Sequence, residues 1–210
     1  LDLNWGEFPS EILIGDSHIV VWQGYQLEFF NLSSNQWEGQ WLTGPLFSDI
    51  AMLSNGDDAW PRMVMLNGTD VEIRQRGGVY GSTSLPTSPN GPVSMIATDD
   101  NRVAYTEAGT PLSVHVQTID GIQQHITVEL NASTTLERDQ MIFEMTDTLV
   151  DYQNATITDI VLDENHLVAL INLSAVDRLV LVDLSNGEQY LLGDPIFPVA
   201  APSIGHGYVA

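Results

Sequence analysis

ITDIVLDENHLVALINLSAVDRLVLVDLSNGEQYLL, residues 157–192, is the stretch from which the fold follows. Four short runs rich in Val, Ile and Leu lie at 157–162, 166–173, 178–184 and 188–192. The breaks between them are Asp163-Glu164-Asn165, the segment 174–177, and Ser185-Asn186-Gly187. Apolar runs of this length bounded by Asn, Asp, Ser and Gly are strand and hairpin signals. Four of them in succession make one antiparallel meander, the size of a propeller blade.

Worn copies of this unit extend in both directions. The segment 1–8, whose Leu1-Asp2-Leu3-Asn4-Trp5-Gly6-Glu7 echoes Val182-Asp183-Leu184-Ser185-Asn186-Gly187-Glu188, reads as a partial blade. Further blades are expected at about 9–44, 45–86 and 92–131, with blade four at 156–193 and a partial fifth at 199–210. Pro86-Thr87-Ser88-Pro89-Asn90-Gly91-Pro92 is a turn-rich connector. The second strands begin at Ile19, Met63, Val103, Leu167 and Tyr208, in steps of 44, 40, 64 and 41. Blade spacing is about 40–45, so the step of 64 contains an insertion, placed at 131–153. That insertion reads either as a hairpin over 141–145 and 148–152 or as a short helix over 136–150, landing as a loop on one face. The fold class is therefore all-β, a β-propeller of four-stranded antiparallel blades. The partial blades at the two ends could zip into a ring of five; the alternative, which the abrupt stop at Ala210 favours, is a portion of a longer array.

Composition narrows the partners. The 210 residues hold 28 Asp and Glu against six Arg and no Lys, a net charge of −22. Such a chain repels phosphate backbones and anionic lipid surfaces, so nucleic acid is excluded as a partner. The acidity serves solubility in a salty medium or loads the surface with a cation, Ca²⁺ being the one it would take; no other cofactor is expected. There is no cysteine, hence no disulfide, Cys-based zinc site or thiol nucleophile. No apolar run approaches the 18 or so residues of a membrane span. Five Asn-X-Ser/Thr triplets, at Asn31, Asn67, Asn131, Asn154 and Asn172, are glycosylation candidates. They point to an extracellular or cell-envelope protein.

On the residues Ile14-Gly15-Asp16-Ser17-His18-Ile19-Val20-Val21-Trp22, Thr98-Asp99-Asp100-Asn101-Arg102-Val103-Ala104-Tyr105 and Pro202-Ser203-Ile204-Gly205-His206-Gly207-Tyr208-Val209-Ala210, the first hairpin resembles the WD40-like propeller repeat of TolB and related surface proteins. Val182-Asp183-Leu184-Ser185-Asn186-Gly187-Glu188 is similar to the close of its second hairpin. The resemblance covers four repeats unevenly, and 45–86 barely shows it. No Trp-Asp dipeptide is present. The resemblance implies protein or glycan contact on a rigid disc and does not imply one chemistry.

Candidate site residues are few. Trp37 and Trp41 flank Gly39 and, by strand alternation, share a face that either packs within the fold, the reading favoured, or would suit sugar stacking or a partner. Trp22, matched with Tyr105 and Leu170, belongs in the core between blades. The turn acids Asp99, Asp100, Asp163 and Glu164 are candidate binding residues, although turn geometry alone accounts for them. His18 and His166 follow acidic turns and could ligate a metal or simply recur with the repeat. No Gly-x-Ser-x-Gly, His-Glu-x-x-His or phosphate loop occurs. The expected role is a non-catalytic recognition or structural module; the rival is a polysaccharide-active enzyme of propeller fold with paired carboxylates.

Overall fold

The computed structural model describes residues 11–15, 17–23, 26–42, 47–53, 61–67, 70–74, 81–83, 93–99, 101–107, 112–119, 124–139, 142–147, 150–173, 176–192, 204–205 and 208–209. The expected partial blade at 1–8 and the connector at 86–92 lie outside them. Every element among the described residues is a strand. The chain divides into two compact units, Leu1–Leu85 and Pro86–Ala210.

The first unit holds two meanders. Blade one is β1 (Glu11–Ile14), β2 (His18–Gln23), β3 (Gln26–Asn31) and β4 (Gln36–Leu42), paired in that order. Blade two is β5 (Asp49–Leu53), β6 (Arg62–Asn67), β7 (Asp70–Arg74) and β8 (Gly81–Thr83). Strand β6 shows why its sequence is an unbroken apolar run rather than an alternation: Met63, Val64, Met65 and Leu66 are all fully buried, so both faces are covered. Val20, Leu27 and Phe29 of blade one pack with Phe47, Ile50, Met63 and Met65 of blade two into one core. Burying each such side chain contributes about 1.5–3 kcal/mol before chain entropy is subtracted.

The second unit holds blade three, β9 (Val93–Thr98), β10 (Arg102–Glu107), β11 (Ser113–Thr118) and β12 (His125–Glu129), with β9 and β12 at its edges. The insertion is a hairpin, β13 (Thr134–Asp139) and β14 (Ile142–Asp147). Blade four follows as β15 (Thr156–Asp163), β16 (His166–Leu173), β17 (Val176–Asp183) and β18 (Gln189–Leu192), and the short pair β19 (Ile204–Gly205) and β20 (Tyr208–Val209) ends the chain. Ala104, Val114 and Val116 of blade three pack against Ile160, Leu167, Ala169, Ile171 and Val180 of blade four.

The insertion departs from expectation in two ways. Its strands start at Thr134, earlier than the hairpin expected over 141–145 and 148–152, and the helix over 136–150 does not form. Nor is it a loop on one face. Thr134, Thr135 and Leu136 pair in parallel with Tyr190, Leu191 and Leu192, so β13 extends blade four into a six-stranded sheet in the order β14-β13-β18-β17-β16-β15. The β-branched pair Thr134-Thr135 suits this half-buried ladder, and the edge of β18 supplies hydrogen bonds a helix would have had to find within itself.

Candidate functional site

Strict alternation in two strands of blade three builds a polar face. In β11, Ser113, His115 and Gln117 alternate with valines; in β12, His125, Thr127 and Glu129 alternate with Ile126 and Val128. Antiparallel register lines them up in rows: Val103, Gln117 and His125; Tyr105, His115 and Thr127; Ser113 and Glu129, with Glu107 following in β10. The valines face the apolar core instead. The rings of Tyr105 and His115 stack at 5.0 Å and those of His115 and His125 at 5.3 Å. Tyr105 Oη lies 3.4 Å from His125 Nε2, and His115 Nδ1 is 3.0 Å from Thr127 Oγ1. The Ser113 hydroxyl donates to Glu129.

Electrostatics at this face follow from burial. Burial lowers the pKa of His115, His125 adds to the effect, and Glu107 and Glu129 oppose it. Burial and then Glu107 push the Tyr105 phenol up to about 12. His115 Nε2 sits 4.0 Å from Glu107 Oε1, too far for a hydrogen bond, and Gln117 Oε1 has no hydrogen-bond partner among the described residues. The face therefore keeps a neutral imidazole at neutral pH, held by stacking and one hydroxyl contact.

Beside it runs a cleft of about 250 Å³, lined by Ile126, Thr127, Val128, Glu129, Val182, Leu184, Gly187 and Gln189. It lies between the outer strand of blade three and the β17–β18 turn of blade four. Gln189 stitches its end shut. Its amide nitrogen donates to Glu129 O at 2.8 Å, and its amide oxygen accepts from Asn131 N–H at 2.9 Å. Ile126 stands 43% exposed at its side.

The sequence-expected residues scatter. Trp37 is 38% exposed and meets Phe30 edge-on at 5.3 Å. Its position does not share a face with that of Trp41 as alternation predicted. Glu38 is an extra residue in β4, so Gly39 pairs with Phe29 but Trp37 with Phe30, and Trp41 with Leu27 three positions away. The side chain of Trp41 is outside the described residues. Trp22 does pack on the core between blades one and two. Counted from Ile19 and Val103, however, its counterpart in blade three is Thr106, and Tyr105 lies on the opposite face.

Asp99 is bound into its own turn: Oδ1 accepts from Arg102 N–H at 2.8 Å and Oδ2 from the Arg102 guanidinium. Asp100 lies outside the described residues. Asp163 closes the two-residue turn to His166, where Glu164 takes a φ of 31°. His18 is buried, with Ser17 Oγ 2.8 Å from Nδ1 and Glu38 Oε2 3.3 Å from Nε2. The histidines and arginines that open the second strands, His18, Arg62, Arg102 and His166, recur as one repeat position. Among the described residues no three His, Asp or Glu converge as a metal site would need. Of the glycosylation candidates, Asn131 and Asn154 are exposed, whereas the amides of Asn31 and Asn172 donate to Glu38 and Asp177; the side chain of Asn67 is not described. Alternating polarity in 113–117 and 125–129 was the available signal for the face of blade three.

Together the blades define a WD40-like β-propeller fold. No family model matches the chain, and no curated protein matches it in sequence. Solved structures do. The β-propeller domain of Cps50 (Swd1) from Myceliophteria thermophila is similar at TM-score 0.51 and 11% identity, over 86% of this chain and 53% of that one. The WD40 domain of Pan2 from Neurospora crassa gives 0.51 and 10%, over 92% and 57%. Hydrazine synthase of Kuenenia stuttgartiensis gives 0.51 and 11%, over 86% and 47%. The chain thus spans about half the length of these structures, and at such identities the likeness is one of fold.

Proposed function

We propose that the chain is a non-catalytic recognition module that binds a protein partner outside the cell or in the cell envelope. The observation that carries this is the cleft beside β12, where Ile126 stands exposed at the mouth and the partly buried Val128 and Leu184 line the wall. An apolar side chain left in water at the mouth of a cleft on a rigid scaffold is the kind of anchor a partner can cover. Of the candidate turn acids, Asp99 is engaged by Arg102 within its own turn, and two other carboxylates are likewise engaged, Glu38 with His18 and Asn31 and Glu129 with Ser113. The test immobilises the chain and selects binders from a displayed peptide library and a glycan array, alongside a reducing-end assay on a polysaccharide panel. Saturable peptide or protein binding without turnover supports the proposal. Steady release of reducing ends, or selection of nothing, would refute it.

A further inference from the structure

The free edge of β12 faces the cleft in a specific register. Thr118 N–H donates to Gln124 O and Leu130 N–H to Leu112 O, which fixes the even-numbered residues of β12 as those bonded to β11. The N–H and C=O of His125 and Thr127, and the N–H of Glu129, therefore point outward. No strand among the described residues pairs with that edge. Its far end already takes a strand-like partner, because the Gln189 amide bonds Glu129 O and Asn131 N–H as a neighbouring peptide unit would.

We propose that this edge takes an extended segment of a protein partner as an added strand, the segment alternating apolar residues with Lys or Arg; this rests on the recognition role above. Side chains of an added strand alternate between faces. Those on one face enter the cleft against Ile126, Val128, Val182 and Leu184. Those on the other lie on the Glu129 side of the sheet, while Asp183 and Glu188, next in sequence to the lining residues Val182, Leu184, Gly187 and Gln189, add negative charge along the turn that borders the cleft. Among the described residues no Arg lines the cleft, and the chain carries −22 overall, so a basic segment is attracted and steered. The same charge argues against a second copy as occupant: two such chains repel.

The probe is a fluorescein-labelled seven-residue peptide of alternating arginine and valine, titrated into the full chain in about 0.1 M salt and followed by anisotropy. Saturable binding is expected. A peptide N-methylated along one edge keeps every charge but loses the pairing amides, and should bind about tenfold more weakly or worse. Ile126→Lys, at an exposed position, should weaken binding by a similar factor while the melting temperature barely moves. Absence of binding overturns the proposal, as does equal binding of the N-methylated peptide, which would mean charge alone. So does dimerisation through β12 in sedimentation without peptide. If the peptide fails while the library yields binders elsewhere on the chain, only the strand-addition proposal falls. If the library yields none, the recognition role falls with it.

Discussion

Replacing Gln189 by Ala removes the side chain that ties the end of β12 to blade four. Two hydrogen bonds disappear, to Glu129 O and from Asn131 N–H. Each bond contributes about 0.5–1.5 kcal/mol net. Both are exposed, so water replaces them and the lower end applies, about 1–2 kcal/mol in total. That corresponds to about a 5- to 30-fold change in a local opening equilibrium. The assay is amide hydrogen exchange resolved at Asn131, whose N–H donates to Gln189. Exchange there should accelerate by that factor, while amides in the core strand β16 are unaffected. Gln189→Glu sharpens the test, since it keeps an oxygen for Asn131 N–H but puts a carboxylate against Glu129 O. It should preserve protection at Asn131 and still lower stability. If Gln189→Ala leaves Asn131 exchange unchanged, the stitch does not exist in solution, and the far end of the β12 edge has no strand-like cap there.

Other expectations follow from single residues. The folded pKa of His115 is depressed, mainly by burial. As pH falls through 6.5, the unfolded chain binds a proton that the folded chain refuses, so stability declines on acidification from about pH 7. His115→Gln should remove that part of the slope in denaturant midpoints measured between pH 7 and 5. Ile171 is fully buried in the core of the second unit, and Ile171→Ala should cost about 2–5 kcal/mol in chemical unfolding, against about 0.5–1.5 for Ile171→Val. Gly187 adopts a φ of 78° with open space around it. Gly187→Ala should therefore cost only the left-handed backbone penalty, about 1–2 kcal/mol, and a much larger loss would show that the turn is crowded.

The sequence made the blades legible wherever strands were joined by tight acidic turns. Asp99–Arg102 and Asp163–His166 close their hairpins within a few residues, so the pairing is local and the turn chemistry names it. The β13–β14 hairpin was legible as an insertion but not in its place, because its partner β18 comes much later in the chain. Its polar residues on both parities, Thr134, Thr135, Glu137 and Arg138, gave no face to read. The paired tryptophans failed for a different reason. Period-two counting assumes an unbroken strand, and the extra residue Glu38 next to Gly39 at φ 141° breaks it. The polar face of blade three was visible as alternation, yet only register could bring Tyr105, His115 and His125 into one stack.

The parallel pairing of β13 with β18 carries a consequence for the order of assembly. Among the described residues every other ladder in the second unit joins neighbours in sequence, and such contacts form quickly. Thr134 must wait for Tyr190, so during synthesis the β13–β14 hairpin leaves the ribosome with its docking edge unmade. It stays an unmatched ribbon until the last strand of blade four arrives. Completion of blade four and capture of the hairpin are then one late event, and the slow step in refolding of this unit should be the one that protects the amides of 134–136.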